Sequence, residues 1–490
     1  MFKRIFLSMG ILVALIAAVV LFRAVQFTPE EAPVPPSAGE QFVPDTQQVV
    51  AHLAQAVQFP TVSYQDSTRF PADAFAAFRE FLRRTFPLAH QKLSPRVING
   101  GALLFIWPGQ DTSLAPVVLM AHQDVVPVPP ETAEQWEHPP FSGAVGDGYV
   151  WGRGTLDDKS SLMAILEAVE HLLSRGFRPP RTVYLAFGHD EEVGGRRGAA
   201  QIAEWFRSRG IRPALVLDEG GVIIQGAVPG VARPVALIGI AEKGYLTLEL
   251  TATASGGHSS MPPKHTAVGI ISRAVTRLEA HPFPADLAFA NRLFDRVGRY
   301  MPFAQRIIFA NRWLFSPVLK RVLSASPTMN ATIRTTTAAT MFHAGVKENV
   351  LPQKATAVVN FRILPGETTA SVIRRVKETI DDPRVSVRPL GYHVDPSPIS
   401  ETQSPAYTLL EATIRQVSEE PPVVAPFLVV GATDSRYFAD LSSNVYRFLF
   451  LRLTTGDTHR LHGTNERIAI ADYVDAIRFY DQLLKNLKRL

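Results

Sequence analysis

Three short apolar runs in the first half of this chain end abruptly in histidine or acid. VVLMAHQD reaches His122 and Asp124, VYLAFGHDEE reaches Asp190, Glu191 and Glu192, and ALVLDEGG reaches Asp218 and Glu219. Runs of this length and composition read as buried strands. Amphipathic, helix-like stretches lie between them: SSLMAILEAVEHLL separates the first run from the second, and RRGAAQIAEWFRSRG the second from the third. Alternating β and α segments predict an α/β fold of three layers, a sheet with helices on both faces. In such sheets site residues gather at the carboxyl ends of the strands, where all of these acids and His122 fall. The stretch WGRGTLDDK adds Asp157 and Asp158, which a glycine-punctuated loop delivers to the start of the next helix. Asp at a helix start is ordinarily a cap. Here it is one of five clusters of acid or histidine at the ends of apolar runs, the fifth being LHGTNERI far along the chain.

The 490 residues carry a formal charge of +5, with Lys and Arg dispersed and not interleaved with aromatics, so no nucleic-acid partner is indicated. There is no Cys. That excludes disulfides, thiolate metal sites and cysteine nucleophiles, and leaves His and carboxylates as the metal ligands available.

Ile5 to Phe22 runs 18 residues without a charge, long enough to cross a membrane. Lys3 and Arg4 precede it while Glu30 and Glu31 follow, which predicts a single-pass anchor with its start in the cytoplasm and the body on the outer, periplasmic or extracellular, side. A cleaved signal peptide is the competing reading, but no clear small-x-small site follows the run. Residues 1–22 are thus the expected anchor and 23–44 a Pro-rich spacer without chemistry of its own.

Residues 45–241 make the first part of a catalytic domain, and from 242 to 390 the pattern changes. Strand YLTLELTATASGG, helix TAVGIISRAVTRLEA, two strands, helix TASVIRRVKETI and strand RVSVRPL describe a smaller α/β sandwich inserted into the first domain. Within it Phe283 to Pro327 is an excess, aromatic, basic and helical in period. It reads as a pair of packed helices extending the insert or, alternatively, as an apolar surface for a lipid-like substrate or a membrane. Residues 391–490 return to the first domain and close with the amphipathic helix IADYVDAIRFYDQLLKNL.

A pair of adjacent metal ions needs several hard or borderline ligands and a carboxylate able to bridge them; His122, Asp157, Glu192, Asp218 and His462 supply such a set. The motifs AHQDVVPV, GRGTLDDK, GHDEEVGG, LDEGG, SGGHSSMPP and LHGTNERI resemble those of the M20 family of zinc aminoacylases and carboxypeptidases. The long insert and apolar amino terminus most resemble its carboxypeptidase S and N-fatty-acyl-amino-acid synthase/hydrolase branch. The resemblance implies two Zn2+ per chain, with His122 and Glu192 on one, Asp218 and His462 on the other, and Asp157 bridging. In LDEGG either Asp218 or Glu219 could reach the metal; Asp218, nearer the strand end, is the expected ligand.

The resemblance further implies that Glu191 is the proton shuttle and that His258, on the insert, stabilises the oxyanion, often from a partner subunit, so that a homodimer through the insert is implied too. Asp124 would fix the His122 tautomer. Asn349, Arg362, Gly431 and Thr433 match the family's anion-binding points for a substrate carboxylate. Taken alone, Arg362 is a strand-end surface arginine and Asp124 a turn residue. The expected activity is hydrolysis, or reversed synthesis, of the amide bond of N-acyl amino acids; a carboxypeptidase acting on short peptides is the alternative. A non-catalytic relative is disfavoured, because no ligand and no proton shuttle is missing.

Overall fold

The computed structural model of the chain describes residues 2–30, 34, 36–37, 39–226, 230–454 and 456–490. In the central strands, alternate residues enter opposite cores, as the period of a strand requires. Val117, Leu119 and Ala121 face one core together with Leu103, Phe105, Val183, Leu185 and Phe187. Val118 and Met120 face the other with Leu104, Tyr184 and Ala186. Each fully buried Leu or Phe contributes about 1.5–3 kcal/mol of transfer free energy, so burial on both faces holds these strands firmly in register.

The large sheet runs Arg96–Ile98, Ala102–Trp107, Val183–Gly188, Val117–His122, Leu215–Asp218, Val445–Arg447, Val235–Glu242, Ile223–Ile224, Arg452–Leu453, and Val423–Val429 also pairs with Val235–Glu242. Val117–His122 is parallel to both of its neighbours. Helices Thr46–Val57, Lys159–Ser174, Pro405–Val417 and Ile470–Asn486 contribute to the first core, and Ala199–Arg207 covers the second. The three layers expected from the alternation are present.

A second, four-stranded antiparallel sheet runs Thr336–Ala344, Lys354–Ile363, Gly244–Thr253, Val385–Pro389. It shares a separate core with helices Ala267–Ala280 and Thr369–Ile380. Its edge strand Thr336–Ala344 is exposed from Ala338 onward.

Two expectations change. The segment from Phe283 to Pro327 is not a helix pair extending the small sandwich: it forms Ala288–Val297, Phe303–Ala310 and Arg312–Ser324, and the first packs against the main-sheet strand Val423–Val429. Val297 there shares a core with Val235, Leu237, Val423 and Ala425. Nor is the spacer free of the body. Gln41 donates to the Gln416 carbonyl, Arg489 to that of Pro36 and Lys485 to that of Glu40, while the Phe42 ring stacks 3.6 Å from His171. Residues 31–33, 35 and 38 of that spacer, Glu31 included, lie outside the described residues. Phe2–Gln26 is one continuous helix, long and apolar enough to cross a membrane.

Candidate active site

His122 closes its strand in register with Gly188, so the turn that follows Gly188 emerges beside it. That turn, Glu191–Val193, carries Glu191 and Glu192. Asp157 arrives from the loop before helix Lys159–Ser174, where Gly154 takes the left-handed backbone (φ 90°) that a side chain would resist. His462 comes from the loop before strand Arg467–Ala469, which pairs with Tyr149–Trp151 and so lays that loop along the Asp157 loop.

The two oxygens of Asp157 serve different histidines. His122 Nε2 lies 2.9 Å from Oδ1 and His462 Nε2 lies 3.1 Å from Oδ2. Each histidine has a second acid: His122 Nε2 is 3.6 Å from Glu219 Oε1, and His462 Nε2 is 3.2 Å from Glu192 Oε2. Ligand-type atoms of His122, Asp157 and Glu192 lie within 4.8 Å of one another, as do those of His122, Asp158 and Glu219. The Glu192 Oε1 atom is buried without a hydrogen-bond partner among the described residues.

Asp124 does more than orient an imidazole. Its backbone carbonyl lies 2.9 Å from His122 Nδ1, and its carboxylate accepts from Ser63 Oγ and from the backbone N–H groups of Glu191 and Glu192. One buried acid thus sets the His122 ring and the turn that bears both glutamates.

The electrostatics are those of a site short of positive charge. Burial disfavours a charged His122 ring, yet the Asp124, Asp157 and Glu219 carboxylates outweigh it and hold His122 well above the ordinary imidazole value. Hydrogen bonds to Asp157 and Glu192 push His462 up to about 10. Burial, with Asp157 beside it, raises Glu219 to about 8. Burial, reinforced by Asp434, Glu219 and Glu192, raises Glu191 well above the carboxylate range. Carboxylates crowded in this way favour a multivalent cation in their midst.

Asp218 does not face this cluster. Its Oδ2 accepts the Ser435 N–H at 2.7 Å, and Glu219, the next residue, takes the place beside His122. Successive side chains leave an extended strand end on opposite sides, so one of the pair must turn away. By nearest distance Glu192 stands with His462 and Glu219 with His122, while His122, Asp157 and Glu192 also form one group of ligand-type atoms.

Thr433 also turns inward, where its N–H and hydroxyl both donate to Glu242 Oε1, which leaves neither for a substrate. Gly431 is half-buried on the same loop. His258 is exposed and bonds Ser260 Oγ at 2.8 Å. It lies on a two-stranded ribbon, opposite Val350, that also brings Asn349 near, the Asn349 carbonyl accepting from the Ser259 N–H. Among the described residues no hydrogen bond or ion pair joins His258, Asn349 or Arg362 to the acid cluster. Arg362 stacks over the Tyr245 ring at 4.8 Å on the second sheet.

Sequence reading missed Glu466 in LHGTNERI. Its buried carboxylate pairs with Arg153 Nη1 at 2.6 Å and accepts the N–H groups of Gly154 and Leu156, while Arg153 also donates to the His462 carbonyl. It ties together the two loops that bear Asp157 and His462. Arg436 and Tyr437 were missed too; both donate to the Gly194 carbonyl and brace the glutamate turn.

The family model described as peptidase family M20/M25/M40 matches residues 118–486. The chain is 43% identical over 446 residues to a probable carboxypeptidase S-like 2 of Dictyostelium discoideum, covering 90% of this chain and 85% of that protein. It is 44% identical over 449 residues to the N-fatty-acyl-amino acid synthase/hydrolase PM20D1 of Xenopus tropicalis, covering 90% and 86%. Among solved structures, an M20 family metallo-carboxypeptidase of Sulfolobus solfataricus superposes with a TM-score of 0.64 at 18% identity, over 91% of this chain and all of that one.

Proposed function

Because this chain belongs to the metal-dependent peptidase family M20/M25/M40 and is an enzyme of that family, we propose that it is a dizinc amidohydrolase that cleaves, or in reverse forms, the amide bond of N-acyl amino acids. The observation that carries the reading is Asp157, with His122 on one oxygen and His462 on the other, each histidine backed by an acid. His122 and Glu219 would hold one ion, His462 and Glu192 the other, and Asp157 both. Imidazole and carboxylate donors without thiolate suit zinc, and the unpartnered Glu192 Oε1 fits a ligand awaiting its ion. When bound, the ions would polarise the scissile carbonyl and bring the pKa of a water toward neutrality.

Glu191 is the base. It is half-buried, not required as a ligand in this arrangement, and its carboxyl is raised above the ordinary carboxylate range by desolvation and by Asp434, Glu219 and Glu192. It takes the proton of the attacking water and then delivers it to the leaving amine. Asp124 holds the Glu191 turn in place through its backbone N–H.

The exposed edge strand Thr336–Ala344 supports a homodimer through the second sheet, in which His258, Asn349 and Arg362 would come to the site from the partner subunit or by closure of that sheet. The helix Phe2–Gln26 supports a membrane anchor, and Lys3 and Arg4 ahead of its uncharged stretch favour a body on the outer side. A carboxypeptidase acting on short peptides is the second reading, favoured by the similarity to the carboxypeptidase S-like protein. Incubating zinc-loaded protein with matched N-acyl amino acids and dipeptides, and reading released amino acid by mass spectrometry, separates the two. Release from dipeptides alone overturns the first reading, and release from neither overturns both.

A further inference from the structure

The end of the N-terminal helix is clamped to the segment that departs from expectation. Asn311 Nδ2 donates to the Val20 carbonyl, Arg23 Nε donates to that of Ala310, and Val20 and Ala24 are the residues of that helix buried against Phe303–Ala310. Val20 lies inside the uncharged stretch Ile5–Phe22. At the helical rise of about 1.5 Å per residue it is only about 3 Å from the end of that stretch. The junction between Phe303–Ala310 and Arg312–Ser324 therefore stands level with the last turn of the apolar helix.

Beside that junction the surface is apolar and unpartnered. Trp313 is 58% exposed, Val318 54% and Val322 61%, with Phe303 and Leu314 also exposed. Leu314, Val318 and Val322 recur every fourth residue and form one stripe, while Leu319 and Leu323 fill the buried face of the same helix. From Phe303 to Ser324 the chain holds Arg306, Arg312, Lys320 and Arg321 and no acid, and Lys320 and Arg321 are exposed next to the stripe. Arg312 is paired with Asp295 of the helix Ala288–Val297, which leaves Arg306, Lys320 and Arg321 as the cations of these two helices. Apolar side chains with a Trp, flanked by cations, are what a helix lying in the headgroup region of an anionic bilayer requires.

We propose that Phe303–Ala310 and Arg312–Ser324 form a lipid-docking face that seats the body on an anionic membrane, in addition to the N-terminal helix. The proposal rests on that helix being embedded, since its clamp on Asn311 sets the depth of the face. The occupant is the bilayer surface itself.

The chain has no Cys, so a single one can carry an environment-sensitive fluorophore in the full-length protein. Val318→Cys and Val322→Cys sample the stripe, Val13→Cys samples the N-terminal helix, and Val346→Cys, 98% exposed beyond the strand Thr336–Ala344, is the aqueous control. Each labelled protein is reconstituted in phosphatidylcholine–phosphatidylglycerol vesicles with and without bromine on the acyl chains. The expected result is a blue shift and a loss of emission of at least about twofold at Val318 and Val322 in brominated vesicles, with none at Val346. Quenching at Val13 alone leaves the anchor standing and overturns the docking face. A blue shift at Val318 and Val322 without bromine quenching means that a second copy of the chain covers the stripe, and overturns it equally. Absence of quenching at Val13 overturns the embedded helix on which the proposal rests.

Discussion

Glu191 and Glu192 leave one turn with their N–H groups held by the two oxygens of the same Asp124, yet their surroundings give them different tasks. Glu192 reaches His462, whereas Glu191 is half-buried near Asp434 and Glu219 and has no histidine within ion-pair distance among the described residues. Glu191→Gln should keep the metal content of the parent protein while turnover falls at least about 10²-fold, the low end of general acid–base contributions. Glu192→Gln should lose metal, because the amide is nearly isosteric but carries no charge. Equal metal loss in both variants, read by elemental analysis, would make both acids ligands. The pair at the next strand end separates in the same way. Glu219→Gln should lower metal content, whereas Asp218→Asn should keep it and lower the melting temperature. Asp218 serves the Ser435 N–H, and a hydrogen bond to a charged group contributes about 1.5–3 kcal/mol.

At the scale of elements, the site depends on two loops 309 residues apart in the chain and braced by Glu466. Removing one partner of a buried ion pair costs about 3–5 kcal/mol. Glu466→Gln should therefore lower the denaturation midpoint and weaken metal binding, although Glu466 is not a ligand; a variant with unchanged metal affinity would show that the loops hold their places without it. Lys243, where the main-sheet strand Val235–Glu242 passes into Gly244–Thr253, donates to the carbonyls of Ala331 and Arg334. Burial, with Arg362 nearby, lowers its pKa from 10.5 to about 7. Between those values the unfolded chain binds more protons than the folded one, so this lysine makes stability rise with pH across that window. Denaturation profiles should show the rise in the parent protein and lose it in Lys243→Met.

Across the whole molecule, the amino terminus divides at a different point from the one its composition suggests. Removing residues 1–27 takes away the apolar helix and should leave turnover of a water-soluble substrate unchanged. Extending the cut through residue 44 also strips the Phe42 ring from His171 and the Gln41 and Glu40 bonds from Gln416 and Lys485. The longer truncation should melt at a lower temperature than the shorter one; equal melting temperatures would return residues 36–44 to the role of a free spacer.

Local pattern was enough for the layers, the strand ends and the positions of His122, Asp157, Glu191 and Glu192. Hydrophobic period and strand termination are properties of neighbouring residues, and these side chains sit where a period stops. The choice between Asp218 and Glu219 was beyond its reach, because adjacent side chains at a strand end face opposite ways and only the packing of Ser435 against one of them decides which way is which. Glu466, 312 residues from the Gly154 N–H it accepts, and Asn311, 291 residues from the Val20 carbonyl it holds, carry no signal in their own neighbourhoods. Hydrogen bonds of that span exist only once the sheet has brought distant loops together, so the tertiary structure alone decided them.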